Sequence, residues 1–314
     1  MKRFFTISAG LAVIAGCGTT SPSFVIDFPL NYLMDVDTGE SVSHCCFLGG
    51  SGDALAASGE LLYFLDREAG YVRAQIDLGA SVSHIASSPD GGYGLALTGS
   101  VMRILSNDTY IQKPPVDLPA HGAFILPKPQ STQVAVLCSD GTALKVSTAT
   151  WEITGQASTG VHNPTAAAVS ADGRYIFAAD DQDRVFRISL VDLSAEMKFQ
   201  APGTVTDIWP GPGQELFMTV QDVSQVWVVN VDTGLHSGSF DIPAPGVSVC
   251  ATGDGMYVYA AVTGYGIVVV NTLENTIEAQ AGAYGVPVDM AVNTASTRAV
   301  IACPDTGKLF MLQR

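Results

Sequence analysis

Residues 31–44, NYLMDVDTGESVSH, lie over residues 71–84, YVRAQIDLGASVSH, when the chain is shifted by 40. Asp37 meets Asp77, Gly39 meets Gly79, and SVSH meets SVSH. The match runs on, with Leu55-Ala56 over Leu95-Ala96 and Gly59 over Gly99. A fixed interval of roughly 20–50 residues marks a repeat architecture, in which each copy is one supersecondary unit.

The unit can be followed to the end of the chain. Each copy holds a turn and a short apolar run: ALAA (54–57), GLAL (94–97), VAVL (134–137), IFAA (176–179), LFMT (216–219), VYAA (258–261) and AVIA (299–302). A second run follows each: LLYFL (61–65), VMRIL (101–105), ALKVS (143–147), VFRIS (185–189), VWVVN (226–230), IVVVN (267–271) and LFMLQ (309–313). Two places before each first run stand Gly52, Gly92, Thr132, Arg174, Gln214, Met256 and Thr297, at intervals of 40, 40, 42, 40, 42 and 41. The runs are rich in Val, Ile and aromatics and are bounded by Gly, Pro, Asp and Asn, so they are strands joined by turns. PDGG (89–92), ADGR (171–174) and GDGM (253–256) supply tight-turn chemistry. Each unit has room for four strands, and four strands per ~40 residues repeated radially is a propeller blade. The expectation is an all-β, seven-bladed β-propeller with four-stranded antiparallel blades. Its last unit stops after three strands, and a spare strand at 31–37 is available to complete it and close the ring.

The segment YVYAAVTGYGIVVVNTLENTIEAQAGAYGVPVDMAV (257–292) resembles one repeat of the YVTN-type bacterial β-propellers. The shared features are Tyr257-Val258, the turn, a strand ending in Asn271-Thr272, and Gly285-Val286-Pro287. The resemblance covers 31–314 and is clearest in the last four units. It implies a seven-bladed fold and an envelope or surface location. It implies no single activity, because propellers carry many unrelated sites.

The beginning of the chain has a different character. Lys2 and Arg3 precede an apolar run closed by small residues, a secretory signal too short for the ~20 residues of a membrane span. Ile14-Ala15-Gly16-Cys17 resembles a bacterial lipobox, which implies removal of residues 1–16 and lipidation of Cys17. The expected organisation is a lipoprotein signal peptide (1–16), a tether (17–30) and the propeller (31–314). Gly18 in place of an inner-membrane retention Asp points to the outer membrane of a bacterial cell envelope. The membrane is then contacted through the lipid anchor alone.

The 314 residues hold 15 basic and 30 acidic side chains, and losing Lys2 and Arg3 leaves a net charge near −17. Such a surface repels phosphate backbones, so nucleic acid is not an expected partner. Cys45, Cys46, Cys138, Cys250 and Cys303 show no C-x-x-C spacing and are read as apolar fillers, with one disulfide open in an oxidising envelope.

The histidines carry the candidate site. His44 and His84 stand eight residues before their anchors, a position held elsewhere by Phe124, Ala166, Thr206, Ser248 and Asp289. Units seven, one and two are neighbours in a closed ring, so Asp289, His44 and His84 converge at the mouth of the channel. Two imidazoles and a carboxylate with open positions would suit one iron or zinc ion. The same residues also suit a small-molecule or partner site, but polar packing between blades is the preferred reading, and it needs no cofactor. His121 and His162 lie three and four residues upstream of the shared position and are secondary ligand candidates. Asp180, Asp181 and Asp183 are read as a solvated acidic turn, and Trp151, Trp209, Trp227 and Tyr265 as blade packing. No nucleophile elbow, His-Glu-x-x-His or P-loop is present in the sequence. The expected function is a non-enzymatic scaffold for an envelope protein or a small-molecule ligand. The alternative is a metal-dependent or lactonase-like enzyme with its site at the channel mouth.

Overall fold

A computed structural model describes residues 31–49, 53–66, 70–281, 285–293 and 297–313. The signal peptide, Cys17 and the tether lie outside the described residues. Seven four-stranded antiparallel sheets make up the fold, and no helix occurs among the described residues. Blade one runs from its inner strand His44–Phe47 through Ala54–Ser58 and Leu61–Leu65 to its outer strand Val72–Asp77. The inner strands of blades two to seven are His84–Ser87, Gly122–Pro127, Pro164–Val169, Val205–Pro210, Gly246–Ala251 and Asp289–Val292. Each inner strand touches the inner strands of both neighbours, and that of blade seven touches that of blade one, which closes the ring.

The spare strand does close it. Asn31–Asp37 pairs antiparallel with the third strand of blade seven, Lys308–Gln313, from Asn31 opposite Gln313 to Asp37 opposite Lys308. That pairing satisfies the outer backbone of the last three-stranded unit and joins the first and last described strands.

The burial pattern explains why the runs were continuous rather than alternating. A second strand such as Ala54–Ser58 is buried along its whole length, because both of its faces meet neighbouring blades. The outer strand Val72–Asp77 alternates half-buried and exposed positions, because only one face is covered. The apolar core is therefore split into seven clusters, one at each junction between blades. Leu55, Leu62 and Phe64 of blade one pack with Ile85, Ala96 and Leu105 of blade two. Each such side chain contributes roughly 1.5–3 kcal/mol when fully buried, and truncating Leu55 to Ala would cost about 2–5 kcal/mol.

The turns repeat as closely as the strands. Asp37 and Asp77 each accept the N–H two residues on, from Gly39 and Gly79, at 2.8 Å. Both glycines have positive φ, +71° and +68°, which a side chain would strain. In three inner hairpins a hydroxyl donates to the turn aspartate and accepts the N–H of a following tyrosine. These are Ser88 with Asp90 and Tyr93, Ser170 with Asp172 and Tyr175, and Thr252 with Asp254 and Tyr257.

The five described cysteines are all free, and four of them are buried. Burial pushes the thiols of Cys45 and Cys250 well up, so they are uncharged apolar fillers. Trp151 packs edge-on against Tyr93, and Trp227 packs against His236 on the outer strand Leu235–Asp241, whereas Trp209 and Tyr265 are exposed and depart from the packing reading. Asp180 departs from the sequence reading. It is fully buried and paired with Arg184 at 2.6 Å, while Asp181 stays exposed. The buried carboxylate also accepts the N–H groups of Gln182 and Arg184, so it organises the turn from within.

Candidate functional site: the channel mouth

An inner strand is an edge strand. Its channel side has no neighbouring strand, so part of its backbone needs partners from elsewhere. The side chains at the shared position supply them. Asp289 accepts the N–H of Met290 through Oδ1 at 2.8 Å and that of Cys45, in blade one, through Oδ2 at 2.9 Å. Asp207 does the same between blades five and six. It accepts the N–H of Ile208 at 2.8 Å, the N–H of Val249 at 2.8 Å and the hydroxyl of Ser248 at 2.7 Å. His84 Nδ1 accepts the N–H of Ile125, in blade three, at 3.3 Å. The bonds to Cys45, to Val249 and Ser248, and to Ile125 each tie one blade to its successor, while those to Met290 and Ile208 stay within the strand.

The structure places Asp207, not Thr206, at the shared position. His44, His84, Phe124, Ala166, Ser248 and Asp289 stand opposite Ala57, Leu97, Leu137, Ala179, Ala261 and Ala302. In blade five it is Asp207 that stands opposite the equivalent Thr219. The cause is a shorter hairpin. Blades three, four and six leave five residues between inner and second strand, as in 170–174, and blade five leaves 211–214. Thr206 instead takes the role of Ser83. Both hydroxyls donate to a carbonyl of the next blade, Thr206 to Gly246 at 3.0 Å and Ser83 to Gly122 at 3.1 Å. The signal was present in the sequence. Val205-Thr206-Asp207 repeats the pattern of Val42-Ser43-His44 and Val82-Ser83-His84.

The predicted convergence of Asp289, His44 and His84 is found. His44 Nδ1 lies 3.8 Å from Asp289 Oδ2, too long for a hydrogen bond, with the two side chains 28% and 30% exposed. The His44 and His84 rings are 6.0 Å apart, and His84 meets Phe124 edge-on at 5.1 Å. The mouth thus has a polar arc, from Asp207 through Ser248, Asp289 and His44 to His84, and an apolar arc of Phe124 and Ala166. His121 and His162 are not part of it. His121 is exposed beside the Gly99 turn of blade two. His162 stands 61% exposed, 3.3 Å from Asp181.

Burial sets the protonation of the arc. Burial, with His44 nearby, lowers the His84 pKa to about 4, so its imidazole is neutral. Because Nδ1 accepts a backbone N–H, the ring proton sits on Nε2. Burial raises the Asp207 pKa to about 7, against the pull of its three donors. In its protonated form Asp207 can give its proton to Ser248 Oγ, which is already within hydrogen-bond distance.

Among the described residues, no group of three or more His, Cys, Asp or Glu side chains is arranged to hold a metal ion. For the trio proposed from sequence the local reason is visible. The Nδ1 lone pair of His84 is directed at Ile125, and its Nε2 carries a proton. Two concavities, of about 310 and 270 Å³, lie at the opposite face, between blades one and two and between blades five and six. The first contains Arg73, whose guanidinium is already paired with Asp53 and Asp66. No family model matches the chain, and no curated protein matches it.

Proposed function

We propose that the protein is a lipid-anchored scaffold of the bacterial cell envelope, held at the outer membrane, that offers its channel-mouth face to an envelope protein or a small-molecule ligand without catalysing a reaction. The anchor rests on Ile14-Ala15-Gly16-Cys17, and the envelope setting on the resemblance to YVTN-type repeats. The single observation that favours a scaffold over an enzyme is how the polar groups at the mouth are used. Asp207, Asp289 and His84 spend acceptor capacity on backbone N–H groups of the next blade. Groups committed in this way hold the ring rigid, and a rigid ring presents a preorganised surface to a partner.

One observation favours the enzyme reading. His44 and Asp289 stand side by side and partly open at the mouth, an imidazole next to a carboxylate. Elemental analysis of protein purified without chelators or an affinity metal separates the two. The scaffold reading expects below about a tenth of an equivalent of any transition metal. Near one equivalent of iron or zinc, lost in a His44→Ala/His84→Ala double variant, would replace it with the enzyme reading.

A further inference from the structure

Single exposed apolar side chains are ordinary on a protein surface. Here half of the large exposed ones among the described residues recur at one turn, while Tyr265, Val286 and Val288 lie at the channel mouth. The connection between third and outer strand, or the first residue after it, carries Tyr71, Ile111, Ile153, Val191, Leu235 and Leu273 in blades one to six. Their exposure runs from 37% at Ile153 to 78% at Leu273. Alternating strand direction puts all of these turns at one face, opposite the channel mouth. In blade seven the same corner is where Asn31 enters the outer strand beside Gln313. The first described residue, Asn31, therefore lies on the face that carries the apolar side chains.

Charge divides the two faces in the same sense. At the channel mouth the turns between second and third strands carry Glu60, Asp140, Asp181, Asp222 and Asp305. Arg184 and Lys308 at that face are already paired with Asp180 and Asp35. The opposite face carries Lys113 and Lys128 among its carboxylates, with Arg174 paired to Asp172 and Arg187 to Glu196 and Asp232. It is the less costly face to bring against lipid.

We propose that this face docks on a lipid bilayer, with the apolar corners of the blades dipping into the headgroup boundary and the channel mouth turned outward. The proposal rests on the lipid-anchor reading. Residues 18–30 reach at most about 45 Å when extended, so an anchored Cys17 confines the Asn31 corner to within that distance of the membrane. Small apolar insertions then add to the lipid chain as the second attachment that stable anchoring needs. Asp192, Asp232 and Glu274 stand beside Val191, Leu235 and Leu273 and remain in headgroup water, so the fitting surface is one without net negative charge.

The test uses the full lipidated protein in phosphatidylcholine vesicles, with tryptophan reporters on the two faces of blade six. Leu273→Trp lies on the docking face and Tyr265→Trp on the channel-mouth face. The native tryptophans are a common background. Brominated acyl chains are expected to quench the 273 reporter at least twofold and to leave the 265 reporter unchanged. Vesicle-bound protein with an unquenched 273 reporter, or with both reporters quenched alike, would overturn the orientation while the anchor stands. A 273 reporter that shifts to the blue without quenching would assign the face to a protein contact and equally overturn it. Protein that fails to float with the vesicles would overturn the anchor, and the orientation with it.

Discussion

The junction between blades two and three and the junction between blades five and six solve one problem with opposite chemistry. In both, a half-buried side chain at the shared position accepts the N–H of the residue that follows that position in the next blade. In one the acceptor is a neutral imidazole, His84, and in the other a carboxyl group, Asp207. The requirement common to both is an acceptor at that point, because an unsatisfied buried N–H costs about 1–3 kcal/mol. The difference shows that the ring selects for hydrogen-bond geometry and tolerates either sign of titration. In the second copy of SVSH, His84 is thus one version of a tie between blades.

The tie at blades five and six should be the costlier one to cut. Asp207→Ala leaves two N–H groups and the Ser248 hydroxyl without their acceptor, and the expected loss is about 4 kcal/mol in urea unfolding. His84→Ala uncovers one weaker bond and a small cavity, for about 2–3 kcal/mol. Equal and negligible losses in both variants would show that the backbone at the mouth finds partners without them.

The pH dependence sharpens the same comparison. Below about pH 6.5 the unfolded chain protonates His84 while the native one does not until about 4, so stability from His84 is lost as pH falls through that window. Asp207 runs the other way. The unfolded carboxyl ionises near its ordinary 3.8 and the native one near 7, so stability is lost as pH rises between them. Each trend amounts to on the order of 3–4 kcal/mol, and in the native protein they oppose each other. The expected profile of unfolding free energy between pH 4 and 7 is nearly flat. Asp207→Asn should make stability rise with pH, and His84→Gln should make it fall. Parallel slopes in the two variants would contradict the assigned protonation states.

The smallest effects are expected at the rim. His121→Ala and His162→Ala should each change stability by less than about 0.5 kcal/mol, because both side chains are exposed and outside the polar arc. A larger change would mean that the site extends beyond the mouth.

The fold was legible because two strands of every blade are buried on both faces, which leaves runs such as IFAA and VFRIS at regular intervals. Those runs fall within strands Tyr175–Asp180 and Arg184–Ser189. The site was legible only where the spacing held. His44, His84 and Asp289 lie at a fixed distance from their turns and do converge. Asp207 was hidden because its hairpin is one residue shorter, so counting back from the turn landed on Thr206. Asp180 was hidden because its neighbours are solvated, and nothing in an acidic run reveals which carboxylate turns inward to meet an arginine.

Amide hydrogen exchange at Val249 tests the account most directly, compared between the native protein and Asp207→Ala. The account predicts that protection at Val249 falls at least a hundredfold in the variant while Ile125, held by His84, keeps its protection. Unchanged exchange at Val249, or an equal loss at both amides, would contradict the claim that the polar residues of the channel mouth are individual ties between neighbouring blades.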